Sequence, residues 1–143
     1  MERIEKTVLI SAPAKRVFSL IEKFDEIPNF SSAISEVICE SDKISSWKIE
    51  VGGISLDWRA ELLEKNAPRH LSWRSISGLQ NRGGYELEEI DGKTQVKFFM
   101  EYQLSSRIVE RATHIVLDRV IEEIYSEILT NIQNKLEEKV TGD

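Results

Sequence analysis

The sequence predicts an α+β fold: a curved antiparallel sheet of seven strands wrapped around one long C-terminal helix, with two short helices after the first strand. Three features predict it. Between residues 34 and 103 the chain is a run of short β-rich segments broken by turn residues. Period-2 alternation within those segments places Trp47, Trp58, Trp73, Tyr85, Phe98 and Tyr102 on one face. From Arg107 to Glu138 the apolar spacing changes to three and four, as in an amphipathic helix. One helix is too narrow to cover the apolar face of such a sheet, and the uncovered part is expected to be a pocket.

The elements follow in order. Residues 3–10 are β-rich and alternate loosely, giving a first strand. Ser11-Ala12-Pro13 opens a short helix, with Ser11 or Ala12 near the cap and Pro13 at the first helical position, where a missing N–H costs nothing. Val17, Phe18, Leu20 and Ile21 form its apolar stripe, followed by Phe24. A second turn or short helix begins at Asp25 and runs through Phe30, its length limited by Pro28. Strands are then expected over 34–41, 45–51, 54–64, 70–76, 84–90 and 94–103. The breaks between them carry turn chemistry at Ser41-Asp42-Lys43, Gly52-Gly53, Asn66-Ala67-Pro68-Arg69, Gly78 to Gly83, and Asp91-Gly92. Connections this short demand antiparallel pairing, since parallel strands need crossovers of roughly a dozen residues.

Parity sorts the two faces. Trp47, Ile49 and Val51 oppose Ser46, Lys48 and Glu50; Leu56, Trp58, Ala60 and Leu62 oppose Ser55, Asp57, Arg59 and Glu61. Leu71, Trp73 and Ser75 oppose His70, Ser72 and Arg74; Val96, Phe98, Met100 and Tyr102 oppose Gln95, Lys97, Phe99 and Glu101. One face is apolar and the other a field of mixed charge, as when one side of a sheet meets water. The terminal helix carries Ile108, Val109, Ala112, Val116, Leu117, Val120, Ile121, Ile124, Ile128, Ile132 and Leu136 on its stripe. At about 1.5 Å per residue it is on the order of 45 Å long and must cross the concave face lengthwise or project beyond it.

At 143 residues the chain reads as a single domain, 1–143, able to bury a full core without metals or disulfides. Lys and Arg number 19 against 25 Asp and Glu, a formal charge of −6 that argues against a nucleic-acid surface. The single cysteine, Cys39, has no internal partner, the N-terminus lacks an apolar signal-peptide region, and no apolar run approaches the ~18 residues of a membrane span. The expected setting is the cytoplasm, with no stable membrane insertion. Two histidines, one cysteine and no spaced ligand cluster argue against a metal site, and no cofactor motif stands out. The sequence says nothing of oligomeric state.

Several residues together resemble the START-like superfamily, also called the polyketide cyclase/dehydrase and lipid-transport group (SRPBCC), whose fold is a helix-grip. They are Ile10-Ser-Ala-Pro13 with Val17 and Phe18, Phe24 to Phe30 around Pro28, Trp58, Pro68, Trp73-Arg-Ser75, Gly78, Gly83-Gly84-Tyr85, Gly92-Lys-Thr94 with Val96, and Tyr102. The resemblance covers nearly the whole chain. These are turn and packing residues, so it speaks to fold more than to function. It implies a ligand held between sheet and long helix, in agreement with the face reading.

The expected lining is Trp58, Trp73, Ser75, Tyr85, Phe98 and Tyr102, facing Leu117, Val120, Ile121 and Ile124 from the helix. Each of these aromatics is as readily explained by core packing, and each buried tyrosine hydroxyl by a backbone partner. Access is expected around Pro28 and at loops 52–53 and 78–83, where glycine eases backbone movement. The leading reading is a non-catalytic binder or carrier of a small hydrophobic molecule: a lipid, isoprenoid or polyketide-like compound. A cyclase/dehydrase-type enzyme in the same cavity is the alternative, with Tyr85, Tyr102, Ser75 and His114 as acid–base candidates. A protein-interaction module is the third, and it requires a filled core and an exposed apolar patch. His70 falls on the charged face beside Arg59, Glu61 and Arg74, where a solvated ion-pair lattice that includes Asp57 is the simpler account. Gly83-Gly84 leads into a strand and lacks the helix N-terminus of a phosphate loop. Residues 122–127 read mostly as the solvated face of the helix.

Overall fold

The computed structural model describes residues 2–51, 53–103 and 111–141, and the side chains of all of these except 51, 54, 111–118 and 138–141. In chain order the elements are β1 (Glu2–Ile10), α1 (Ala14–Ile21), a 3₁₀ helix (Phe24–Phe30), β2 (Ile34–Cys39), β3 (Ile44–Val51), β4 (Ile54–Asn66), β5 (His70–Gly78), β6 (Gln80–Ile90), β7 (Lys93–Gln103) and α2 (Arg111–Thr141). The strands form one curved seven-stranded sheet in the order β1-β7-β6-β5-β4-β3-β2, antiparallel throughout. β1 and β2 are neighbours in sequence but occupy opposite edges. The chain therefore crosses the sheet between them, and it does so as α1 and the 3₁₀ helix.

The apolar face is inside, as the alternation predicts. Trp58, Leu71, Trp73, Tyr85, Val96, Phe98, Met100 and Tyr102 are all buried. Against them α2 sets Ile121, Ile124, Tyr125, Ile128, Leu129, Ile132 and Leu136. Those steps of three and four make a stripe wider than a two-residue seam, as a helix facing a broad core needs. Two β-bulges interrupt the β4–β5 ladder, between Arg59 and Ala60 and between Leu62 and Glu64. Each leaves one extra residue, Ile76 on β5 and Leu63 on β4, and both side chains are turned outward (44% and 50% exposed).

Polar contacts clamp the second half of α2. Gln133 donates to the Leu9 carbonyl (2.9 Å), Asn131 to the Phe30 carbonyl (2.9 Å), and the carboxylates of Glu127 and Glu137 accept the backbone N–H groups of Ser32 (3.1 Å) and Ser11 (3.0 Å). Lys135 lies over the Phe30 ring (5.7 Å). The helix is thus fixed to β1, to the turn after it, and to the end of the 3₁₀ helix.

Several expectations need correction. Pro13 is the residue before α1, not its first turn, and neither Ser11 nor Ala12 caps the helix. The Ala14 N–H goes instead to the Glu89 carboxylate on β6, at 2.7 Å, which satisfies an orphan donor as a local cap would. β2 ends at Cys39, two residues early, while β4 and β5 run on to Asn66 and Gly78. The expected loop from Gly78 to Gly83 is mostly strand: the turn is confined to Gly78 and Leu79, and β6 starts at Gln80. Gly78 has the positive φ that such a turn requires (+76°). The long helix is described from Arg111 to Thr141, and its expected start at Arg107 lies outside the described residues. Of the loop at 52–53 only Gly53 is described, exposed and with a positive φ (+81°).

On the outer face the expected ion pairs form in part. Arg74 pairs with Glu61 (3.1 Å), and Arg59 pairs with Glu40 (2.9 Å). The Arg59 guanidinium and the Ser46 hydroxyl hold the Glu40 carboxyl below its ordinary range. Asp57 has no ion pair among the described residues. His70 sits by Glu64 (3.3 Å) and Glu86 (4.0 Å), not by Arg59, Glu61 and Arg74, because it pairs with Asn66 at the far end of the ladder from the Glu61–Arg74 pair. Phe99, on the charged side, is half-buried beneath the Arg3 guanidinium (4.7 Å).

Candidate functional site

The aromatic side chains of the inner face meet in two groups. In the first, Trp47 and Trp58 are directly opposed across β3 and β4 and stack almost parallel (centroids 5.8 Å apart, 6° between planes). Phe24, at the start of the 3₁₀ helix, tilts against Trp47 (5.5 Å). In the second, Tyr85 and Phe98 are opposed across β6 and β7 (5.1 Å), Trp73 lies against both (5.9 and 6.2 Å), and Tyr125 of α2 stacks on Phe98 (4.4 Å, 19°). Such pairs add about 0.5–1.5 kcal/mol each beyond simple burial, so each group is stiffer than its hydrophobic area alone implies.

Trp73 is held from two directions. Its indole N–H donates to Asn81 Oδ1 (3.1 Å), while Asn81 in turn donates through Nδ2 to the Leu79 carbonyl (2.8 Å) and through its backbone N–H to Ser75 Oγ (2.9 Å). Across the ladder from Trp73 is Gly83, and a Cβ there would stand 2.6 Å from Trp73 Cζ2. Gly83, expected to end the loop at 78–83, lies within β6, where it makes room for the indole. Trp47 is tied only through its N–H to Ser45 Oγ (2.8 Å) among the described residues, and it is half-buried.

Between the two groups runs a narrow cleft. One wall is Ile21, Phe24, Ile27, Trp47 and Trp58; the other is Trp73, Tyr85 and Tyr125. Its free volume, measured at the centre of a water-sized sphere, is about 10 Å³, the room of about one water. Where a larger void was expected, the described residues line this narrow cleft. Among the described residues no charged side chain lines it. Tyr85 and Tyr125, two residues only 4% and 3% exposed, are part of its lining; neither hydroxyl bonds to another described residue, and neither is sealed off, since no fully enclosed side-chain nitrogen or oxygen among the described residues lacks a partner. Burial pushes the Tyr85 phenol well above its usual range, with Tyr125 adding to the effect, and burial alone pushes Tyr125 up. At neutral pH both are therefore uncharged, able to donate and accept a hydrogen bond but not to act as bases.

Of the expected lining residues, Trp58, Trp73 and Tyr85 face the cleft. Phe98 stands behind it as the ring on which Tyr85 and Tyr125 pack. Ser75 is half-buried with its hydroxyl taken by the Asn81 N–H, and Tyr102 is buried opposite Glu2 and Asn81; neither lines the cleft. Ile121 and Ile124 belong to the core and Val120 packs at its margin, again without reaching the cleft. The side chains of Leu117 and His114 lie outside the described residues. Tyr125 was not expected, because residues 122–127 read as solvated: Glu122, Glu123 and Glu127 are exposed, but Tyr125 between them is not. Its position one residue after Ile124 and four before Leu129 was the available signal.

Among the described residues no group of three or more His, Cys, Asp or Glu side chains is placed to hold a metal ion, and no helix is long and apolar enough to cross a membrane.

Comparison with known proteins agrees with this architecture. The family described as polyketide cyclase / dehydrase and lipid transport matches residues 10–128. An uncharacterised 17.2 kDa protein of Streptomyces lincolnensis is 21% identical over 110 residues, covering 74% of this chain and 72% of that one. The crystal structure of the Zhui aromatase/cyclase from a Streptomyces species superposes with a TM-score of 0.80 at 16% identity, over 97% of this chain and 95% of the other. A START superfamily protein of Mycobacterium smegmatis superposes with a TM-score of 0.78 at 11% identity, over 95% and 97%. At such identities these structures speak for the fold alone. With residues 10–128 matched and its sheet gripping one long helix, this chain belongs to the polyketide cyclase / dehydrase and lipid transport family.

Proposed function

We propose that this chain binds a small hydrophobic molecule in the cleft between sheet, 3₁₀ helix and α2, and serves as its carrier. The observation that carries the reading is the make-up of the cleft: apolar and aromatic walls with two neutral hydroxyls that the described residues leave unpaired. Ligand sites have this composition, a mostly apolar lining with a few placed polar groups. A core filled only for stability pairs its buried hydroxyls within the protein.

The closed cleft has to widen to admit a ligand, and the wall nearest the 3₁₀ helix is the one that yields. Hydrogen bonding in a 3₁₀ turn is poorer than in an α-helix. This one has no side-chain cap and contains Pro28. Among the described residues its hydrogen-bonded ties to α2 are at its C-terminal end, through Phe30 and Ser32. Phe24 and Ile27, near its other end, swing away from Trp47 as it opens. The opposite wall, with Trp73 locked by Asn81 and Gly83, stays in place.

The test is a fluorescence titration with N-phenyl-1-naphthylamine, an uncharged apolar probe. Saturable binding is expected, weakened at least about tenfold by Trp73→Ala and measurably by the gentler Trp73→Phe. Absence of binding to the wild type, or unchanged affinity in both variants, overturns the proposal.

The same two hydroxyls favour a second reading, catalysis of the cyclase type. A neutral phenol beside a developing enolate is a hydrogen-bond donor of the kind that stabilises such charge. That reading requires Tyr85→Phe to abolish turnover of a poly-β-ketone thioester while leaving its binding intact.

A further inference from the structure

We infer that the cleft recognises its ligand through a single uncharged oxygen, a hydroxyl or carbonyl held between Tyr85 and Tyr125, and that it rejects carboxylates and phosphates. The inference deepens the proposed function and rests on it.

Tyr85 comes from β6 and Tyr125 from α2, so two different elements bring the two tyrosines to one cleft. Both rings pack on Phe98, at 5.1 and 4.4 Å between centroids, and both border the same cleft. A buried tyrosine hydroxyl almost always has a partner, and leaving one bare costs roughly 1–3 kcal/mol. Here neither hydroxyl bonds to another described residue and neither is sealed off without a partner, so both are left open to a ligand. The cleft between them has the volume of about one water, and a water there has the two polar partners it needs. A ligand oxygen taking that position replaces the water's hydrogen bonds with its own, so displacement costs little. A hydroxyl donates to one phenol and accepts from the other; a carbonyl accepts from both.

Charge is disfavoured by what the described walls lack. Ile21, Phe24, Ile27 and the three tryptophans supply no counter-ion. The phenols cannot supply one either, since burial keeps them protonated. An ionised head group entering the cleft would lose its hydration with nothing among the described walls to offset the loss. A neutral oxygen loses far less and recovers it in two hydrogen bonds.

Three planar ligands differing only in the polar group separate the terms: naphthalene, 2-naphthol and 2-naphthoate, each competed against N-phenyl-1-naphthylamine at pH 7. Wild-type protein is expected to bind 2-naphthol about tenfold more tightly than naphthalene, and 2-naphthoate more weakly than either. In the double variant Tyr85→Phe/Tyr125→Phe, which keeps both rings, the ratio of 2-naphthol to naphthalene affinity is expected to fall to about one. Equal wild-type affinities for naphthalene and 2-naphthol, persistence of the naphthol preference in the double variant, or tight binding of 2-naphthoate overturns the inference and leaves the proposed function standing. Failure of every one of these compounds to bind the wild type overturns both.

Discussion

The two ends of the interior are built from the same elements and differ in how their polar groups are settled. At the end near α1 the core is mainly aliphatic: Ile10, Val17, Val96, Ile128 and Ile132 have no measurable exposure. The polar groups around it have partners from distant parts of the chain. Thr94 Oγ1 donates to the Ala12 carbonyl (2.7 Å), Glu89 takes the Ala14 N–H, Glu137 takes the Ser11 N–H, and Gln133 reaches the Leu9 carbonyl. At the aromatic end, Trp47, Trp58, Trp73, Tyr85 and Tyr125 bound a cleft, and two hydroxyls are left over. One end closes the fold, and the other holds a place open. Composition alone does not separate them, since both are buried and apolar; the hydrogen-bond accounting does.

The sharpest way to break this contrast is to damage the aliphatic end and ask whether the aromatic end notices. Ile132→Ala removes a fully buried side chain where α2 meets the rest of the core. A loss of about 3 kcal/mol is expected, hence a fall in Tm of roughly 10 °C for a domain of this size. Calorimetry measures the first, and probe titration well below the new Tm is expected to return the wild-type affinity. A matching loss of affinity would show that the two ends are one mechanical unit.

Gly83→Ala acts on the other end, with a smaller effect on stability and a larger one on binding. The new methyl would lie 2.6 Å from both the Phe99 carbonyl oxygen and Trp73 Cζ2, so the indole or the strand has to move. Overpacking of this kind costs roughly 1–3 kcal/mol. The shift expected is of Trp73 toward the cleft, lowering probe affinity and changing the indole emission. Full affinity in this variant would mean that the position of Trp73 does not define the wall.

How far the sequence reached depended on whether the signal was local. The β5–β7 faces and the stripe of α2 follow from alternation and helical spacing, because each residue's side is decided by its immediate neighbours. The cap of α1 was out of reach, since the carboxylate that provides it, Glu89, is 75 residues away. Gly83 and Gly84 looked like punctuation for the same reason: what requires a glycine at 83 is the ring of Trp73 on the next strand. Of the eight residues that line the candidate cleft, three were named from the sequence as lining: Trp58, Trp73 and Tyr85. The wall from Ile21, Phe24 and Ile27 was not, because it depends on where the crossing segment lies over the sheet. Tyr125 was hidden by the glutamates around it, although the width of the stripe allowed for it. That the cleft is closed down to about one water is a matter of packing distances, which residue patterns do not encode.

The smallest effect at neutral pH is also the most specific probe of the open end. Tyr125→Phe removes a hydroxyl that has no partner among the described residues, so at pH 7 Tm should move by no more than about 1–2 °C. In alkali the two proteins should part. Burial raises both phenols above the ordinary tyrosine value of 10.0, so the folded state keeps protons that the unfolded chain releases. The native state then binds more protons than the unfolded one, and stability falls as pH rises through and beyond that value; below it the contribution is intact. The variant has one such group fewer. Its urea midpoint should therefore fall less than the wild type's between pH 9 and about pH 11, with the lysines common to both. Parallel loss in the two proteins would mean that Tyr125 ionises as freely folded as unfolded, which a hydroxyl enclosed in a closed apolar cleft cannot do.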